Sequence, residues 1–130
     1  IYIPAQILGC LLGVMLANVF FEHDILELST KNRDGFNIFL SEIIATFGLI
    51  FIIFATQKDG KITIAASVAT YIMAGYWFTS STSFANPAVA IARTFTDSFT
   101  GINYLNTPTY ILAEFLGALI AVYFIKKLIK

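Results

Sequence analysis

Four long apolar segments divide the chain, and the polar stretches between them differ in kind. Ile1–Phe21 is broken only by Gln6 and Asn18, and Ile38–Thr56 carries Ser41 and Glu42 near its start. Ile62–Phe78 is the third segment, and Tyr110–Ile129, with Glu114 inside it, is the fourth. Crossing a bilayer core takes about 20 helical residues at a rise of about 1.5 Å each. The first, second and fourth segments meet that length; the third is slightly short and needs help from its flanks. Small residues recur at helical spacing, as in Gly9, Gly13 and Ala17, in Ala65, Ala66 and Ala69, and in Gly117, Ala118 and Ala121. They let helices approach closely in lipid, and ordinary packing explains them.

Of the connections, Glu22–Asn37 is polar and rich in turn formers, which places it in water, and Gln57–Lys61 is a short turn. Thr79–Thr109 is too long and too apolar for a plain loop. Within it, Thr79–Gly101 reads TSSTSFANPAVAIARTFTDSFTG. Asn86-Pro87 is a helix start, since Asn is a preferred N-cap and Pro suits the first helical position. A helix over Ala88–Phe95, ended by Asp97, Ser98 and Gly101, is too short to cross, so it re-enters or lies on the surface. Irregular backbone at membrane depth survives only where it lines a watery cavity or is buried in protein. The Thr79–Ala85 stretch is therefore expected to be pore wall, its carbonyls at Thr82, Ser83 and Phe84 and its hydroxyls replacing water around a solute. The half-helix start carries roughly half a positive charge, which repels cations. The Asn86 amide oxygen caps the helix while its NH2 is left to donate.

Composition sharpens this picture. The chain is 58% hydrophobic and 12% charged with zero net charge, against about 25% charged in a soluble domain. The solvent for its outer faces is expected to be lipid, and neutrality argues against a nucleic-acid partner. Cys10, the one cysteine, excludes an internal disulfide and reads as a small packing residue. No secretory signal is visible, and the first residue is Ile rather than Met, which suggests an incomplete chain. No domain boundary is apparent, so residues 1–130 read as one partial membrane domain. With four crossings, Lys58, Lys61, Lys126, Lys127 and Lys130 share one side, against Lys31, Arg33 and Arg93 on the other. The bias puts the C-terminus in the cytoplasm.

FANPAVAIAR, after a hydroxyl-rich stretch and a glycine-containing helix, resembles the second NPA loop of the aquaporin and aquaglyceroporin family. Tyr2–Gly9 (YIPAQILG) is similar to that family's third helix, Ser41–Phe47 (SEIIATF) to its fourth and Ala113–Ala118 (AEFLGA) to its sixth. The resemblance covers the whole chain. It implies an all-α membrane fold, half of an aquaporin-like bundle, with four transmembrane helices and one re-entrant half-helix. It implies a passive channel for water and small neutral solutes, without cofactor, and a homotetramer. Asn86, Pro87 and Ala88 are then the pore motif, and Glu42, with Gln6, supports the re-entrant loop. The family usually has Arg directly after NPA in its outer filter; here that position is Val89. Counting back places two other filter positions at Ser83 and Ala74. Val, Ser and Ala make a wide, uncharged filter similar to members that pass glycerol-like or metalloid solutes such as undissociated arsenous acid.

Several readings stay open at this stage. Arg93, four residues after Val89 and about 6 Å nearer the outer mouth, is either a displaced filter arginine or a vestibule residue paired with Asp97 at i+4. Glu114 reads as structural near a helix start, and Gln6 as an interhelical hydrogen bonder. His23 reads as a solvated loop residue rather than a metal ligand or pH gate. Trp77, Tyr76 and Tyr104 suit an interfacial belt. A secondary transporter also uses broken helices, but no ionisable group is clearly central here. An intramembrane Ser–His enzyme is implausible with the single His in a loop, and a non-conducting membrane subunit is the remaining class. An aquaporin pore needs two half-helices and this chain has one. The chain alone is thus expected not to conduct, and its partner is the missing first half, covalent or separate.

Overall fold

A computed structural model describes residues 1–128; the expectations for Ile129 and Lys130 lie outside the described residues. The elements are helices α1 (Tyr2–Phe20), α2 (Phe36–Thr56), α3 (Lys61–Phe78), the short α4 (Pro87–Ala92) with a 3-10 turn Arg93–Phe95, and α5 (Thr107–Leu128). α5 begins three residues before the apolar run because Pro108 fits a first turn, where backbone N–H groups have no helical partner. Gly35 and Gly60, both at positive φ, precede α2 and α3. α1, α2 and α5 are long and apolar enough to cross a membrane. α3, with 18 residues and Lys61 in its first turn, is not in that set.

The chain forms two compact units. The first joins Ile1–Asp34 to Asn86–Ile111. In it α1 packs on α4, burying Val14 and Asn18 while Leu8, Leu12, Leu16 and Val19 stay exposed. The strap after α1 runs beside the segment that follows α4: Ser29 N–H donates to the Thr94 carbonyl at 2.9 Å and Asn103 N–H to the Lys31 carbonyl at 2.8 Å.

The second unit joins Gly35–Ala85 to the chain from Leu112 onward. Two glycines set its helix spacing. Gly48 leaves room on α2 for the Tyr71 ring of α3, whose hydroxyl donates to the Ala45 carbonyl at 3.0 Å. At Gly117 of α5 a Cβ would lie 2.5 Å from the Ile43 carbonyl, so only glycine permits this approach to α2. Phe47 and Phe124 meet edge to face at 5.9 Å.

What is buried and what is exposed is inverted relative to a water-soluble domain. Asn18, Glu42, Thr46, Ser81, Ser83 and Glu114 are buried, while Leu12, Phe20, Phe36, Ile62 and Leu119 are mostly exposed. Burying polar groups under an apolar exterior is favourable only when hydrocarbon is the solvent. The protein is therefore a multi-pass membrane protein.

Candidate functional site

The short helix α4 of the first unit is capped by Asn86, the residue before it. Asn86 has extended backbone (φ −159°, ψ 118°), and its Oδ1 accepts the Ala88 N–H at 2.9 Å with Pro87 at the first helical position. Its carbonyl accepts the N–H of Val89 and of Ala90 at 2.9 and 3.0 Å. Ala88, Ala90 and Ala92 are buried, and their small side chains let α4 lie close to α1. Val89 is half-buried. With Cys10, Gly13, Val14, Ala17, Ala92 and Arg93 it lines a cavity of about 220 Å3.

In the second unit the hydroxyl-rich stretch bends sharply. Thr82, Ser83 and Ala85 adopt positive φ of 65°, 51° and 50°, a left-handed conformation that costs a non-glycine residue roughly 1–3 kcal/mol. The cost is offset by hydrogen bonds from one side chain. Glu42, fully buried, accepts the Ala85 N–H, and the Ser81 hydroxyl and Phe84 backbone converge on the same carboxylate. One residue earlier on α2, Ser41 Oγ accepts the Ser80 N–H at 3.0 Å. Thr82, Ser83 and Phe84 are all buried. Ser83 rests on Gly75 of α3, where a Cβ would stand 2.6 Å from its Oγ. That Oγ has no hydrogen-bond partner among the described residues. Ala74, beside Gly75, is exposed.

One expectation needs correction. The Arg93–Asp97 pair is not formed, because the helix tightens into a 3-10 turn at Arg93 and Thr96 is already extended (φ −149°, ψ 129°). Four residues no longer bring two side chains onto one face. Arg93 instead donates to Thr100 Oγ1 at 2.5 Å. Asp97 accepts from Thr30 N–H at 2.8 Å, from the Thr30 hydroxyl and from Ser29 Oγ. Gln6 is exposed and makes no hydrogen bond among the described residues. Glu114 is buried, whereas Trp77 and Tyr104 are exposed. His23 Nδ1 lies 2.9 Å from Glu27 Oε2, and no metal-binding cluster occurs among the described residues.

Two residues matter more than the sequence pattern indicated. Asn18 donates to the carbonyls of Phe95 at 2.9 Å and Ile25 at 3.3 Å, tying the turn after α4 and the strap to α1. An amide inside an apolar segment is itself a signal, since it is costly there without partners. Arg33 donates to the carbonyls of Gly101 at 2.9 Å and Phe99 at 2.6 Å, and its N–H reaches Asn106 Oδ1 at 3.0 Å. Nothing local to Arg33 announces partners so far along the chain.

The Thr30 backbone N–H is the main cause that holds the Asp97 carboxyl below its usual range; partial desolvation opposes it, and the Thr30 hydroxyl, Lys31 and Ser29 add to it. A depressed folded value contributes stability that is present above the ordinary Asp value of about 3.9 and is lost as pH falls through the folded value. The Thr30 amide resonance is thus expected to titrate with an inflection below that ordinary value and to lose the inflection in Asp97→Asn. An inflection that survives in the variant assigns the effect to another acid.

No family model and no solved structure matches the chain. It is 45% identical over 120 residues to the aquaglyceroporin AqpS of Rhizobium meliloti (strain 1021). The alignment covers 92% of this chain and 52% of that protein. The chain spans about half the length of the curated relative it matches.

Proposed function

Because the chain belongs to the aquaporin, or major intrinsic protein, family, we propose that it supplies the second half of a passive channel for water and small neutral solutes. The observation that carries this reading is the self-capped half-helix, with Asn86 Oδ1 on the Ala88 N–H, in a chain whose long helices suit lipid. The relationship also points to a channel rather than an enzyme.

In this proposal α1, α2, α3 and α5 cross the membrane and residues 79–101 re-enter from the outside, with the C-terminus cytoplasmic. The half-helix N-terminus supplies the positive potential that rejects cations, and Asn86 orients the passing oxygen. The Thr82, Ser83 and Phe84 carbonyls line the path. Burial of the Ser83 hydroxyl with no hydrogen-bond partner among the described residues supports a solute or water as its acceptor. Ala74, Ser83 and Val89 form a wide, uncharged filter suited to glycerol-like or metalloid solutes such as undissociated arsenous acid. The first half of the pore comes from sequence beyond this chain, and four copies assemble.

The full-length protein carrying this chain, reconstituted in liposomes, is expected to pass water and glycerol down their own gradients at rates independent of any Na+ or H+ gradient. Asn86→Leu is expected to lower both fluxes at least about tenfold, which corresponds to about 1.4 kcal/mol in the barrier. Flux that follows an imposed ion gradient would identify a coupled transporter and overturn the channel reading.

A further inference from the structure

A second cavity, of about 470 Å3, lies at the C-terminal end of α4, wholly within the first unit. Its size is in the range of small-molecule sites. One wall is polar and built around Arg93, with Thr96, Ser98 and Thr100 beside it. These hydroxyls are already ordered: Thr96 Oγ1 donates to Ser98 Oγ at 2.9 Å, and Ser98 Oγ lies 3.5 Å from Thr100 Oγ1. The Arg93 guanidinium spends one N–H on Thr100, and its side chain has no other hydrogen bond and no ion pair among the described residues. No carboxylate lines the space. Of the carboxylates close in sequence to the lining residues, Asp97 is held by Thr30 and Ser29 and Glu27 by His23, itself a lining residue, while Glu22 and Asp24 flank His23 without lining the space.

A guanidinium presents a planar fork of five donors that matches a carboxylate with two parallel hydrogen bonds. The apolar wall is formed by Val14 and Ala17 of α1 and by Phe21 and Phe99, and Asn18 and His23 complete the lining. A hydrated inorganic anion leaves that wall unused, whereas an organic acid places its carboxylate on Arg93 and its hydrocarbon body on the phenyl rings. We infer that this cavity binds a small monocarboxylate of roughly benzoate size, held by Arg93 and the adjoining hydroxyls. The inference stands apart from the channel reading, since it concerns occupancy of this cavity rather than passage.

The test is fluorine NMR of 4-fluorobenzoate with the full-length protein in nanodiscs, with empty nanodiscs as the lipid blank. Saturable broadening is expected. Arg93→Gln is expected to weaken it at least tenfold, and Arg93→Lys, which keeps charge but loses the fork, less than that. Ser98→Trp fills the cavity without touching the charge and is expected to abolish binding. The neutral 4-fluorobenzyl alcohol is expected to bind at least tenfold more weakly, and inorganic phosphate not to displace the probe. Binding that is unchanged in Arg93→Gln or Ser98→Trp, equal affinity for the alcohol, or displacement by phosphate overturns the inference. Glycerol flux on the same preparation separates the two readings. Flux without saturable binding removes the monocarboxylate site alone, and binding without flux removes the channel alone.

Discussion

Replacing Glu42 with Ala is expected to cost the protein more than any other single change to a polar side chain of α2. The carboxylate takes the Ala85 N–H and is met by Ser81 and Phe84, all of them buried. Removing it strands backbone donors where neither water nor another acceptor reaches, at about 1–3 kcal/mol for each orphaned group and more where the lost partner was charged. The left-handed residues Thr82, Ser83 and Ala85 then lose the carboxylate that offsets the cost of their conformation. The thermal midpoint of the full-length protein in detergent should fall by several degrees, and solute flux by tenfold or more. Glu42→Gln keeps a carbonyl oxygen for the Ala85 N–H and should recover part of both. If Glu42→Ala matched the parent in midpoint and in flux, the support assigned to this side chain would be refuted.

Val89→Arg should act on selectivity and leave stability nearly untouched. Val89 is half-buried and borders the cavity of about 220 Å3 shared with Cys10, Gly13 and Val14, so a longer side chain has space. A cation in the first turn of α4 opposes the helix dipole, at about 0.3–1 kcal/mol, which the fold tolerates. If Val89 belongs to the filter, an arginine there narrows and charges it. Glycerol flux should then drop at least about tenfold while water flux stays within about twofold. Stopped-flow swelling under matched water and glycerol gradients measures both. A proportional fall in the two fluxes would mean that the substitution damaged assembly, and no change in either would remove Val89 from the filter.

These two experiments probe different links between sequence and site. Asn86-Pro87 was legible at once, because capping and the missing proline N–H act within one turn and need no distant partner. The long apolar segments were equally legible: length against bilayer thickness is a property of the segment itself. Arg93 and Asp97 show where local rules stop. Their i+4 spacing is a helix argument, and the helix ends between them, so Thr30 and Ser29, more than sixty residues upstream, capture the aspartate. Asn18, which interrupts an apolar run, is the tie between α1 and Phe95. Arg33 counted only towards the charge bias, whereas it holds the carbonyls of Phe99 and Gly101.

The sequence by itself determined the membrane character, the positions of the long helices within a few residues, the place where the short helix α4 starts and the presence of Val rather than Arg after the Asn-Pro-Ala triplet. Each of these follows from interactions over a turn or from the balance of apolar and charged residues. The tertiary structure decided how a glycine-free stretch holds Thr82, Ser83 and Ala85 at positive φ, which carbonyls Asn18 and Arg33 serve, and which glycines matter. Gly48, Gly75, Gly101 and Gly117 each leave no room for a Cβ. Those outcomes depend on groups far apart in the chain, where the penalty for an unpaired polar group in hydrocarbon selects the partner and no local pattern names it.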